Sequence, residues 1–176
     1  MSTLRTNAIQ TTAGKPILNS TGSILQVVST TKTDVFTTTS LTMVDVTGLN
    51  ASITPSSSSS KILVCYSVHL GQTGQHYLMA GDITRNGTQI AIADAAGSRS
   101  RFTFGTQDNG AVHGGTDNYS GQYLDSPAST AALTYQIRIR AESPQTVWVN
   151  RGNEADGDSS VSQRLISMIT LLEVSG

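Results

Sequence analysis

The segment LTYQIRIRA, residues 133–141, alternates apolar and polar side chains without a break. Leu133, Tyr135, Ile137, Ile139 and Ala141 fall on one face; Thr134, Gln136, Arg138 and Arg140 fall on the other. An extended strand with one wet face satisfies that period of two, and a helix does not. KILVCYSVHL, residues 61–70, puts Ile62, Val64, Tyr66, Val68 and Leu70 on one face. Its second face, with Leu63, Cys65, Ser67 and His69, is partly apolar. DITRNGTQIAIAD predicts a hairpin, because Asn86-Gly87 tolerates the two positive φ angles of a type I′ turn. TVWVNR and TMVDVTGL read as further strands. In RLISMITLLEV both faces are apolar: Ile166, Met168 and Leu172 alternate with Leu165, Ile169 and Leu171. A central strand covered on both sides has this pattern. So does a strand with one face in its own core and the other against a neighbouring subunit. No amphipathic helix interrupts the series. Eight to ten strands predict an all-β fold, an antiparallel jelly-roll-like β-sandwich over 23–176, preceded by an extended N-terminal arm over 1–22.

Composition narrows the function. Charged residues make up 13% of the 176, about half the usual share of about 25%. Ser, Thr, Asn, Gln and Gly take their place, which suits close packing against other chains, since few ions must be desolvated. The net charge is −1 and no basic cluster larger than Arg99 with Arg101 occurs, so a nucleic-acid partner is not expected. The one cysteine, Cys65, lies in an apolar run and is expected to be a small buried residue. No stretch reaches the roughly 18 apolar residues of a membrane span, so no membrane insertion is expected. The N-terminus lacks the apolar core of a secretory signal, so synthesis in a cytoplasm without a signal peptide is expected.

No catalytic pattern stands out. His69 lies mid-strand and reads as a packed or interface histidine; His76 and His113 lie in or near Gly- and Gln-rich loops. Glu154, Asp156 and Asp158 are dense enough to suggest Ca²⁺, but no Glu stands where a twelfth EF-hand ligand belongs, and a solvated loop is the favoured reading. Nucleophile-elbow, phosphate-loop and dinucleotide motifs are missing. The expectation is a non-enzyme with no cofactor and no metal. Two stretches, 105–118 and 151–162, are long loops of the kind that carry function. In TVWVN, Val147 and Val149 are expected to face the core, which turns Trp148 the other way. An outward Trp marks an interface or a sugar platform; a Trp packed under a loop is the competing reading.

The chain resembles a group of tailed-phage virion proteins common in cyanophages and other marine phages. The opening STLRTNAIQTTAGKPILNSTGSILQVV carries most of the resemblance. DVTGLNASITPSSSSSKILV, RNGTQIAI, YLDSPAS, TYQIRI, VNR and the closing ISMITLLEVSG extend it over nearly the whole chain. The resemblance implies a virion structural protein, with no catalytic motif to carry over. A looser architectural likeness is to trimeric jelly rolls of the C1q and tumour-necrosis-factor kind. Together these imply a homotrimer of the tail-fibre type, placed in the virion and bound to other virion proteins of the tail, baseplate or capsid. The arm would attach it through Leu4, Ile9, Ile17 and Leu18. Loops 71–76, 105–118 and 151–162 would meet a host surface glycan, with Trp148, Tyr123, His113, Asn118, Arg151 and Glu154 as contact residues. Leu165, Ile169 and Leu171 would form the trimer interface. The alternative is a capsid decoration protein that clamps major capsid subunits. A glycan depolymerase is disfavoured, for want of repeats and of an evident carboxylate pair.

Overall fold

A computed structural model describes residues 21–73, 78–107, 115–142, 145–152 and 163–176. Among them every regular element is a strand. In chain order these are β1 (Ile24–Lys32), β2 (Phe36–Thr38), β3 (Val44–Ile53), β4 (Lys61–Gln72), β5 (Leu78–Arg85), β6 (Thr88–Ile90), β7 (Phe104–Gln107), β8 (Asp117–Asp125), β9 (Leu133–Arg140), β10 (Val147–Val149) and β11 (Ser167–Val174).

The eleven strands form eight rows in two antiparallel sheets. In the first sheet, the long β4 takes β8 along one edge. Along its other edge it takes β11 and then β10. Outside these lie β1 on β11 and β2 on β10. In the second sheet β3 pairs β9 and β9 pairs β5. The free edge of β5 is shared by β6 and β7. The first row therefore pairs with the last, the second with the seventh, the third with the sixth and the fourth with the fifth. That is a long hairpin wound into a sandwich, the jelly-roll connectivity.

The alternation read from the sequence sets the inner faces. Leu133, Tyr135, Ile137, Ile139 and Ala141 of the β9 segment are buried, as are Ile62, Val64, Val68 and Leu70 of β4. The β5–β6 turn is the expected one, with positive φ at both Asn86 and Gly87. Near the edge of the sandwich Phe104 stacks between Tyr66 and Tyr119, with centroids 5.4 and 5.6 Å away. The ring of Phe104 fills the space where a Cβ at position 81 would stand, so only glycine fits there.

The two ends of the sandwich differ. The first and last described residues, Thr21 and Gly176, and the connections 54–60, 86–87 and 126–132 share one end. There Gly22 donates its N–H to the Ser175 carbonyl and Ser175 donates to that of Ser23, each at 2.8 Å. Glu173, fully buried, ties three segments together at this end. It accepts from Gln26 Nε2 at 2.6 Å, from the Ser56 N–H at 2.7 Å and from Ser56 Oγ at 2.6 Å. Burial pushes its carboxyl up, but the Ser56 and Gln26 hydrogen bonds outweigh this and hold it below its ordinary value.

Candidate functional site

At the opposite end the chain crosses between strands repeatedly. Gln72 pairs with Val147, Leu70 with Asp117, and Leu78 with Gln107. Thr73 donates its N–H to the Thr146 carbonyl at 3.0 Å, and the Leu78 N–H donates to Glu142 Oε2 at 2.7 Å. The described residues that bracket 74–77, 108–114, 143–144 and 153–162 thus lie together at this end. Parts of the expected loops are strand: Gly71 and Gln72 finish β4, Phe104–Gln107 is β7, and β8 begins at Asp117. His76, His113, Glu154, Asp156 and Asp158 lie outside the described residues, and so do the arm residues Leu4, Ile9, Ile17 and Leu18.

Asn150 organises the described part of this end, and sequence reasoning did not single it out. It is fully buried, with φ +67°. Its Nδ2 donates to the carbonyls of Lys32 (2.9 Å) and Asp34 (3.0 Å), and its Oδ1 accepts from Ser167 Oγ at 2.6 Å. Its N–H donates to the His69 carbonyl at 2.9 Å, and its carbonyl accepts the Leu165 N–H at 3.1 Å. One side chain thus holds the gap between β1 and β2 against the gap between β10 and β11. Asn suits the position because it tolerates left-handed φ and carries both donors and an acceptor. The only trace in the sequence was a polar residue directly after an apolar strand.

Trp148 turns away from the core, as expected, but is only 8% exposed. The Arg151 guanidinium lies over its ring, 4.7 Å from the centroid. The reading in which the ring packs under a neighbour therefore holds, and an open sugar platform does not. Tyr123 lies on the inward row of β8, half-buried. Ile169 and Leu171 are fully buried in the sandwich core, so their side chains cannot meet a neighbouring subunit. Leu165 is half-buried beside Asn150. Cys65 is not a core residue. It sits half-buried on the outer face of the first sheet, where partial burial raises its thiol above the ordinary value.

That outer face is the second candidate surface. One row across it reads Val27, Leu172, Leu63 and Leu124, paired strand to strand across all four rows. Val27 is 57% exposed and Leu124 46%. The next row is Ser29, Thr170, Cys65 and Gln122, and the one after is Thr31, Met168, Ser67 and Ser120. Beyond them His69 Nδ1 meets the Ile166 carbonyl at 2.8 Å. The exposed Asn118 bonds to His69 Nε2 at 2.9 Å and donates to Ser67 Oγ at 2.8 Å. The described residues of these rows include no Lys, Arg, Asp or Glu.

The outer face of the second sheet is the opposite case. Asp82, fully buried, accepts from Arg138 Nε and Nη2 at 2.9 and 2.7 Å and from Gln89 Nε2 at 2.6 Å. The hydrogen bond to Asp82 raises the Arg138 guanidinium above its ordinary value. Gln136 Nε2 spans the register shift in β3 by donating to the carbonyls of Val46 and Leu49 at 3.0 and 3.2 Å.

Among the described residues no cluster of three or more His, Cys, Asp or Glu side chains could hold a metal ion, and no helix is long and apolar enough to cross a membrane.

No family model matches the chain, and no curated protein matches it. Among solved structures it is similar to that of infectious bursal disease virus Gt strain, with TM-score 0.45 and 12% identity, covering 98% of this chain and 43% of that one. T=1 particles derived from infectious bursal virus give a TM-score of 0.44 and 11% identity, over 98% and 41%. The VP2 subviral particle of infectious bursal disease virus gives 0.41 and 12%, over 97% and 44%. The chain thus spans less than half the length of the chains it matches. Superpositions this loose transfer no function, and the architecture stands on its own strand pairing.

Proposed function

We propose that the chain is a non-enzymatic virion structural protein of a tailed phage, a homotrimer of the tail-fibre type. The observation that carries this reading is the polarity of the sandwich. The described chain enters β1 at the end where β11 leaves, and Gly22 and Ser175 are joined there. The described residues flanking four further connections, the longest of them between β10 and β11, gather at the other end. Such a domain can be held at one end and can present loops at the other. The sequence resemblance to tailed-phage virion proteins supports the same reading, and so does the low charge of the chain.

In this reading residues 1–22 attach to the tail, with Leu4, Ile9, Ile17 and Leu18 as apolar anchors. Asn118 and Arg151 stand at the presenting end and contact a host glycan; His113 and Glu154, outside the described residues, are the other proposed contacts. Single contacts of this kind are weak, and repetition over copies and fibres raises avidity by about 10²–10⁴. A second reading, a capsid decoration protein, is favoured by the uncharged outer face of the first sheet, which suits side-by-side packing in a lattice.

Gold-labelled antibody on intact virions tests both. Label at the tail is expected for a fibre. Label over the head assigns decoration and makes the N-terminal segment a clamp on the capsid lattice. Virions without label overturn the virion reading.

A further inference from the structure

We infer that the outer face of the first sheet is a homotypic contact surface, seated in the assembled state on a second copy of this chain. The contact is like to like and therefore twofold, distinct from the threefold contacts of the trimer proposed above, and it rests on that reading only for the expectation that copies assemble.

The face offers an apolar bar, Val27, Leu172, Leu63 and Leu124, running unbroken across all four rows. An exposed bar of this kind in a chain with few charges calls for a cover. The absence of charge argues for a second copy. In a contact between like surfaces a charge at the centre lies close to its own copy as well as to its neighbours' copies, so a homotypic face is best neutral there. Lys61 and Arg151 stand only at the two ends of the face, beyond the uncharged rows. An acidic or basic partner would find nothing in those rows to pair with.

The edge of the sheet points the same way. The outer edge of β1 has no strand partner among the described residues. From Gln26 to Thr31 this edge has no proline and no charge. Edge strands of monomeric proteins are ordinarily protected by such residues.

Area sets the strength. Four strands about 4.8 Å apart and seven residues at about 3.3 Å each give about 450 Å² per copy. Stable pairs bury about 800 Å² per partner, so this face alone supports a weak, reversible contact.

Sedimentation velocity on the purified full chain tests this. Self-association is expected to grow over about 1–100 µM, the range for a contact of this size. Leu63→Glu alone and Leu172→Lys alone should each abolish that concentration-dependent growth, with an unchanged far-UV spectrum. Mixing the two variants should restore association, because opposite charges now meet across the contact, and a folding defect would not be rescued in this way. A wild-type chain whose size does not change with concentration overturns the inference, and so does association indifferent to both substitutions. The assay needs no virion. Unlabelled virions would sink the virion reading and leave this result standing, and a chain found on virions whose size does not change with concentration would do the reverse.

Discussion

The two sheets share one core but solve the problem of their outer faces differently. On the second sheet the outer rows carry ions, and the buried one is tied down within the chain: Asp82 is gripped by Arg138 and Gln89. On the first sheet the outer rows carry an apolar bar and hydroxyl groups that make few demands on one another; Ser29 and Thr170 share a single hydrogen bond at 2.8 Å. An ion pair satisfied internally has little left to offer a partner. A surface with exposed apolar area and no charge loses little by being covered. The contrast teaches where this molecule is finished and where it is open.

Substitutions should separate the two faces sharply. Arg138→Ala leaves the fully buried Asp82 without its cation, and should lower stability by about 3–5 kcal/mol, read from the urea midpoint. If the loss is below 1 kcal/mol, water reaches Asp82 and the second face is not sealed as described.

The first sheet has its own buried ion, Glu173, but on the inner side. Its carboxyl is held below its ordinary value of 4.5. A carboxylate with a lowered folded value contributes stability that is full above that ordinary value. The contribution is lost as pH falls through the folded one. Glu173→Gln should therefore cost about 1.5–3 kcal/mol at pH 7, the worth of charged hydrogen bonds. The gap between variant and wild type should narrow on acidification. Urea midpoints at pH 7 and pH 3 measure it, and a gap that widens in acid would reverse the assignment.

The smallest effect is expected where the contrast is cleanest. Leu124→Ser on the open face should change the stability of the dilute chain by about 0.5 kcal/mol or less, since the side chain is already 46% exposed. A large loss on thermal melting would mean that the side chain is covered within its own chain, and the two faces would cease to differ.

Much of the architecture was legible before any coordinates. The period of two in 133–141 and 61–70, the Asn86-Gly87 turn and the count of short strands led to an antiparallel sandwich. The site was far less legible. Asn150 looked like a loop residue after a strand, and its role exists only because Lys32, Asp34, His69 and Ser167 converge on it from distant parts of the chain. Trp148 could be assigned a side but not a cover, because Arg151 over its ring depends on the turn that follows β10.

The closing strand shows where the boundary lies. Alternation alone determined that Ile169 and Leu171 share one side and Met168 and Leu172 the other, because successive side chains of a strand point opposite ways. Both sides are apolar, so nothing local could say which faces inward. The tertiary structure decided it. Glu173 has the parity of Ile169 and Leu171, and it goes inward where Gln26 and Ser56 donate hydrogen bonds to it. β1 and β4, pairing on either side, bring Val27 and Leu63 level with Leu172. Parity is a property of the backbone and can be read along one strand; the choice of side is a property of neighbours, and only the folded chain has them.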